Sequence, residues 1–473
     1  PLTAPRPLRP QNGARTGSPH AAPAVGTLRP TFRWLGTGDC LGATSYELEM
    51  DDSCETPGFA SCAFPSAELA VTGLAVTSYQ PAADLPISVM APVGRRYYWR
   101  IRACRGATCS EWSAVLYLDV GRAPGDLNGD GYSDLVVGSY LRDIFIWSEG
   151  AAFVYYGSAT GIAETPSVEL ANPDPSLFYA FGGQIESAGD LNADGFCDLV
   201  VSVVADGEYV YWGSDSGIAA MPSFMLRTPG PAWMGGSAYL AKQLSTGGDL
   251  NADGYADLVV GASEQDAPEP NEGNVFIYYG SGAEMASAPD VTLDNPDNQA
   301  RGYFGVATAS AGDLNGDGYA DVVVGASHQD APEPDEGNVF VYYGSAGGVS
   351  ADASLRLDNP ATTGGAAFGL ALASAVDLDG DGYADLVVGA PGQSAPEADE
   401  GNAFVYFGGI AGIRATPSVT LDSPLGEAGG SFGYAVASSG DLTADRFPDL
   451  LIGAPGPAAI WPELPADAHE GEV

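Results

Sequence analysis

The chain has 473 residues, and its Gly 64 and Pro 35 fill about a fifth of the positions, which suits many short strands joined by turns and excludes helix bundles, coiled coils and helical solenoids. Asp and Glu number 61 against 18 Lys and Arg, a formal net charge of -43, so the surface repels nucleic acid and anionic lipid headgroups. The charge is unevenly spread: residues 1–122 sum to +1 and residues 123–473 to -44.

Residues 1–27 are rich in Pro, Arg, Ala and Gly without apolar periodicity and read as a poorly ordered leader or linker. The sequence starts at Pro1 with no initiating Met and no signal sequence, as expected of a processed chain or a fragment. No run of eighteen apolar residues occurs, so no membrane insertion is expected. Five of the six cysteines (Cys40, Cys54, Cys62, Cys104 and Cys109) fall in the first quarter with no His beside them, which favours disulfides in an oxidising compartment over zinc. A single Lys (Lys242) beside abundant Arg, Ala, Gly and Pro reads as GC-rich coding, and the lack of any Asn-x-Ser/Thr acceptor fits a bacterial protein, secreted or at the cell surface.

Residues 28–120 change to short runs with period-two alternation: Thr31-Phe-Arg-Trp34, Ser45-Tyr-Glu-Leu-Glu-Met50, Tyr97-Tyr-Trp-Arg-Ile-Arg-Ala103 and Trp112-Ser-Ala-Val-Leu-Tyr-Leu-Asp-Val120. They predict a small Ig-like β-sandwich. Trp34, Tyr97-x-Trp99-Arg100-Ile101-Arg102-Ala103 and Ser110-Glu-Trp-Ser113 resemble the fibronectin type III family, from which the extra cysteines depart. Cys104 and Cys109 flank a turn-like Arg-Gly-Ala-Thr, and Cys54 and Cys62 bracket a Pro-Gly loop. These are the expected pairs, with Cys40 left over, although six cysteines allow fifteen connectivities.

From residue 123 to 473 the chain repeats itself. Asp126-Leu-Asn-Gly-Asp-Gly-Tyr-Ser-Asp134 recurs from Asp190, Asp249, Asp313 and Asp377, and a worn copy follows at Asp441-Leu-Thr-Ala-Asp-Arg-Phe-Pro-Asp449. Successive copies start 64, 59, 64, 64 and 64 residues apart. The first five are followed by a Leu-Val-Val-Gly-like strand, a Phe-Val-Tyr-Tyr-Gly-like strand and a third strand that ends Val-Glu-Leu or Val-Thr-Leu at 168–170, 291–293 and 419–421, and Phe-Gly opens the strand before the loop at Phe181, Phe304, Phe368 and Phe432. Four antiparallel strands per repeat describe a propeller blade.

Phe-Gly, the acidic loop and then Gly-Ala-Pro (389–391 and 453–455) resemble the FG-GAP repeats of integrin α subunits and their bacterial relatives. The resemblance implies an all-β chain: an FG-GAP β-propeller of seven blades when complete, six repeats being visible, after an N-terminal fibronectin type III-like sandwich. It weakens in repeat one, which has no Phe-Gly, and in repeat three, where Tyr239-Leu240 replaces it. His469-Glu-Gly-Glu-Val473 aligns with Asp335-Glu-Gly-Asn-Val339, so the last blade breaks off and a longer parent protein is expected.

Oxygen donors at alternate positions, a glycine for the turn and a closing carboxylate suit a hard cation, Ca²⁺ rather than Mg²⁺. The candidate ligands are Asp126, Asn128, Asp130, Tyr132 and Asp134 in loop one, and Asp190, Asn192, Asp194, Phe196 and Asp198 in loop two. Loop three offers Asp249, Asn251, Asp253, Tyr255 and Asp257; loop four Asp313, Asn315, Asp317, Tyr319 and Asp321; loop five Asp377, Asp379, Asp381, Tyr383 and Asp385. The aromatic residue offers its carbonyl, and the last Asp closes the site bidentately. Loop six (Asp441, Thr443, Asp445, Phe447 and Asp449) carries Arg446 in place of the glycine and departs from this pattern. Without an ion, each loop is an Asx-rich turn whose carboxylates repel one another.

A second acidic set, residues 266–273, 330–337 and 394–401, faces away from the cation loops because successive hairpin turns alternate ends of a blade. It shares that end with loops carrying Phe178, Tyr179, Trp233, Arg301 and Tyr303. Solvated acid loops and a face for a protein or glycan partner are both open readings. The resemblance implies an adhesion or interaction module. A self-assembling structural subunit and a propeller-based polysaccharide lyase or glycosidase are the alternatives. Against catalysis, the only histidines are His20, His328 and His469, no Gly-x-Ser-x-Gly occurs, and His328 reads as a surface residue.

Overall fold

In the middle repeats the apolar runs become strands buried on both faces. In the computed structural model of the chain, Asp257–Ala262, Asp321–Ala326 and Asp385–Ala390 are buried at every position. The structure describes all residues except 1, 13, 17–18, 21–27, 37–44, 55–58, 141, 143–148, 175–180, 204–206, 230–241, 267, 283–284, 331, 376, 395–396, 425, 439–442, 444–447 and 457–473. Cys40, Phe178, Tyr179, Trp233, Tyr239, Leu240 and His469 therefore lie outside the described residues.

Four successive sheets have four antiparallel strands each. They begin with Ile185–Gly189, Lys242–Gly248, Phe304–Gly312 and Ala371–Ala375. A three-stranded sheet precedes them, starting at Leu135–Ser139, and the pair Ala435–Ser438 with Leu450–Gly453 follows. Neighbouring sheets share their cores: Val339, Val341 and Leu357 of one pack with Leu386, Val388 and Phe404 of the next. This succession of sheets, each burying its face on the next, fits a β-propeller. The repeated glycines make the approach possible, since a Cβ at Gly261 would collide with the Gly305 carbonyl, and one at Gly325 with the Gly369 carbonyl.

Phe-Gly opens a strand only at Phe304–Gly312. At Phe368 and Phe432 the strands start later, at Ala371 and Ala435. The glycine of the pair has positive φ in all three (+89° at Gly305, +86° at Gly369 and +88° at Gly433), and at Phe304 too the ladder shifts register before Ala307, so the pair marks a break in the regular pleat at each of these positions.

The first 122 residues form two further sheets. One joins Arg6–Arg9, Phe32–Leu35 and Ser78–Tyr79; the other runs Ala14–Thr16, Leu116–Val120, Arg95–Arg105, Ser45–Asp51 and Leu69–Leu74. They meet over one aromatic core, with Phe32 edge-on to Trp99 at 5.1 Å and Trp34 edge-on to Tyr46 at 5.5 Å. Within residues 1–27, expected to be a poorly ordered leader or linker, residues 6–9 and 14–16 form strands. Leu8 is buried, Arg6–Arg9 pairs with Phe32–Leu35, and Ala14–Thr16 runs parallel to Leu116–Val120.

The last predicted strand begins at Leu116 instead of Trp112. Ser110 and Ser113 hydroxyls accept the Ala103 and Ile101 amides at 3.1 and 3.0 Å, replacing ladder bonds, while Trp112 lies under Arg100 and Arg102. Cys54–Cys62 and Cys104–Cys109 are both bonded.

Candidate cation-binding loops and their cover

Loops two to five each leave one strand and re-enter the next strand of the same sheet, so residues 249–257 join Lys242–Gly248 to Asp257–Ala262, while loop one reaches Leu135–Ser139 from Leu116–Val120 of the first region. Side-chain oxygens organise the turn. In loop four, Asp313 accepts the amides of Asp317 at 2.9 Å and Gly318 at 2.8 Å, Asn315 accepts Asp317 at 2.9 Å, and Asp317 accepts Tyr319 at 3.1 Å. Loops one and three repeat this pattern through Asp126 and Asp249. The first, third, fifth and ninth positions are thus brought together by the loop's own backbone.

The ninth position does something that spacing alone does not reveal. Asp321 accepts the Leu314 amide at 2.8 Å with one oxygen and the Gly344 amide at 2.9 Å with the other. Asp134, Asp198, Asp257 and Asp385 do the same with Gly157, Gly213, Gly280 and Gly408. The closing carboxylate therefore ties its loop to the hairpin beyond. The signal was present in the glycine that ends every Phe-Val-Tyr-Tyr-Gly-like strand.

These carboxylates resist ionisation. Burial pushes Asp249 and Asp313 up to about 7 and Asp134 and Asp385 up to about 6, while backbone amide bonds pull the other way. Asp198, Asp257 and Asp321 lie well above the usual carboxylate range for the same reason. A divalent ion would relieve that cost.

The donors fit a hard ion. Asp190 Oδ1 is buried with no hydrogen-bond partner. Asp377, Asp379 and Asp385 each offer an oxygen, all within 4.8 Å of one another, the spread expected of ligands about 2.4 Å from one Ca²⁺. Loops one to four have Asn at the third position, so Asn128, Asn192, Asn251 and Asn315 would supply an amide oxygen there. In loop six, Asp441, Asp445 and Phe447 lie outside the described residues, and the Thr443 amide donates to Asp449 at 3.0 Å.

The loop end of the repeats is covered by the first 122 residues. Arg6 donates to the Asn315 and Gly316 carbonyls, Gln11 to Asp313 O at 3.2 Å, Arg33 to Gly380 O at 2.7 Å and Arg96 to Gly254 O at 2.5 Å. His20 stacks on Tyr132 with ring centroids 4.0 Å apart. Two arginines reach first-position carboxylates: Arg9 on Asp377, and Arg122 on Asp190 at 3.4 Å. None of these contacts takes the seventh-position carbonyl of Tyr132, Phe196, Tyr255, Tyr319 or Tyr383.

With the loops and their sheets in place, the comparison with family models is decisive at the level of the repeat. The FG-GAP repeat model matches residues 123–156 and 368–406, and the FG-GAP-like repeat model matches residues 249–324. These three segments match FG-GAP repeats, and the chain is similar in part to integrin α subunits. Human integrin alpha-7 is 32% identical over 238 residues, covering 50% of this chain and 18% of the integrin; human integrin alpha-IIb is 28% identical over 302 residues, covering 63% and 27%. The match therefore spans about a quarter or less of those relatives' length. Among solved structures, BBS1N in complex with ARL6DN has a TM-score of 0.34 at 12% identity, covering 64% of this chain and 72% of that one. Among the described residues no helix is long and apolar enough to cross a membrane.

The end of the FG-GAP repeats away from the cation loops is structured too. Glu272, Glu336 and Glu400 are buried and accept the Glu269, Glu333 and Glu397 amides at 3.1, 3.2 and 3.3 Å. The Arg301 and Tyr303 amides donate to Pro270 and Asn271 carbonyls of the preceding repeat at 2.7 and 3.2 Å. His328 is half-buried, with Tyr303 edge-on at 4.9 Å and Ser327 Oγ 2.9 Å from Nδ1.

Proposed function

We propose that the chain is a secreted or surface-displayed interaction module, an FG-GAP propeller whose loops one to five hold Ca²⁺ structurally and whose opposite end receives a protein ligand. The domain reading that goes with it is a fibronectin type III-like sandwich over residues 28–120, extended by strands from the leader, and a propeller over 123–473. The observation that carries the ligand face is the cover: Arg6, Arg33 and Arg96 occupy loop carbonyls at one end, and among the described residues the first region makes no such contacts at the other end. The similarity to integrin α subunits supports adhesion over catalysis.

In this reading the bound ion supplies charge compensation. The chain's own groups do the rest: Asp313 and its equivalents shape the turn, Asp321 and its equivalents tie it to the next hairpin, and the shared cores pass that rigidity to the neighbouring sheet. The open end then presents exposed Arg301, half-buried Tyr303 and the acidic loops in a fixed arrangement. The test is retention of the full chain on immobilised extracellular-matrix proteins in Ca²⁺ and in EDTA. Binding in Ca²⁺ that is lost in Arg301→Glu and Tyr303→Ala supports the reading. Binding that survives both substitutions puts the ligand elsewhere.

A further inference from the structure

Loop five departs from the other described loops in two ways at once. Its third position is Asp379, where loops one to four have Asn128, Asn192, Asn251 and Asn315, so it contains four carboxylates instead of three. It also holds a fixed cation, because Arg9 Nη2 pairs with Asp377 Oδ2, and Asp377 is the buried first-position carboxylate.

Arg9 is held there by backbone and packing. Its strand pairs with Phe32–Leu35, and the adjacent Leu8 packs so closely on loop five that a Cβ at Gly382 would lie 3.2 Å from Leu8 Cδ1. The register sets Arg9 opposite Arg33. Like charges directly across a strand pair are destabilising unless an anion faces both. Loop five is that anion, since Arg33 donates to Gly380 O at 2.7 Å while Arg9 takes Asp377. The contact at loop two is of another kind: Arg122 is 3.2 Å from Asp119 as well as 3.4 Å from Asp190, so its charge is already shared, and Asn192 keeps the common loop charge.

We propose that Arg9 is a built-in counter-ion of loop five and that Asp379 is the extra carboxylate that offsets it, so that the Arg9 charge does not cost the loop its affinity for a divalent cation. This rests on the reading of the loops as Ca²⁺ sites. A unit charge roughly 5 Å from a divalent ion changes its affinity by about tenfold or more even at a high effective dielectric.

The test is calcium titration calorimetry on the full chain, with loop five identified as the site whose heat disappears in Asp381→Ala. Arg9→Gln raises the affinity of that site about tenfold or more, and Asp379→Asn lowers it by a similar factor. The double variant returns to within about threefold of the parent, and Arg9→Lys, which keeps the charge, stays near the parent value. An affinity that is unchanged or weakened in Arg9→Gln overturns the proposal, as does a double variant no closer to the parent than the singles. Should Arg9→Gln not fold, Asp379→Asn and Arg9→Lys carry the decision: unchanged affinity in the first, or a tenfold rise in the second, overturns it. Absence of bound calcium in the parent chain by atomic emission is a different result and removes the cation reading itself.

Discussion

The first 122 residues and the FG-GAP repeats solve the stability of small β-units in opposite ways. The first region is nearly neutral and closes two disulfides around aromatic cores: Phe32, Trp34, Tyr97 and Trp99 in one, Phe59, Tyr98 and Tyr117 in the other. The repeats have no disulfide among the described residues, and each sheet completes its core with the next. They also concentrate negative charge in turns where burial makes ionisation costly. One region is constrained covalently and internally; the other depends on its neighbours and on counter-charge. The two meet at the loops, where arginines of the first supply part of the positive charge that the second lacks.

Chelation should separate the two regions most. Each site filled at a thousandfold excess over its Kd contributes roughly 4 kcal/mol to the folded state, so EDTA should lower the calorimetric transition of the repeats by many degrees. Because Arg6, Arg33 and Arg96 are bonded to loop carbonyls, the transition of the first region should also fall, by a smaller amount. A first-region transition that does not move at all would show that the cover is not held by the loops.

Breaking a shared core should come next. Phe368 is fully buried and lies edge-on to Phe404 at 5.7 Å, so Phe368→Ala should cost about 3–5 kcal/mol. Hydrogen exchange should rise in the two sheets that share the core and not in the first region. A uniform rise over the whole chain would contradict nearest-neighbour stabilisation.

Removing a covalent constraint is smaller and acts on the other side of the comparison. Cys104→Ser with Cys109→Ser opens a link between residues only 5 apart in sequence; a closed loop that short is worth about 2 kcal/mol. Chemical denaturation should show the loss in the first region, with the calcium content of the repeats unchanged.

The smallest effect concerns Glu186, which is half-buried and accepts the Thr246 amide at 3.2 Å. Burial pushes it up to about 7, against the opposing effect of that bond. A carboxyl raised in the folded state holds its proton there more tightly than in the unfolded chain. Its contribution is therefore fully present below the unfolded value and is lost as pH rises through about 7. Glu186→Gln should flatten the decline in stability from pH 5 to pH 8 by about 1 kcal/mol, allowing for its partial exposure. An unaltered pH profile would mean that Glu186 titrates normally.

Much of the site was legible because its signals are local and repeated. Asp, Asn, Asp, Gly and Asp at constant offsets, recurring in register, announce a turn that gathers oxygens, and the loops are built that way. The tie from Asp321 to Gly344 was not legible as a bond, because nothing in a nine-residue motif says which distant amide its last carboxylate will meet. Residues 6–9 do not read as a strand because Arg-Pro-Leu-Arg is short and flanked by prolines, with only Pro7 and Leu8 buried. Trp112 misled in the other direction: its alternation is strand-like, yet serine hydroxyls and two guanidinium groups hold the segment outside the ladder.

By itself the sequence determined the all-β class, the repeat period and the acidic turns, and it made the two cysteine pairs the expected ones among fifteen connectivities. Each of these follows from periodicity, turn chemistry or short loops that act within a few residues. Only the tertiary structure decided which glycine backs onto which carbonyl, which carboxylates are buried deeply enough to resist ionisation, and where the first region docks. Those depend on contacts such as Arg6 with Gly316, 310 residues apart, and on solvent exclusion, which is a property of packed surfaces and is not carried by any one segment.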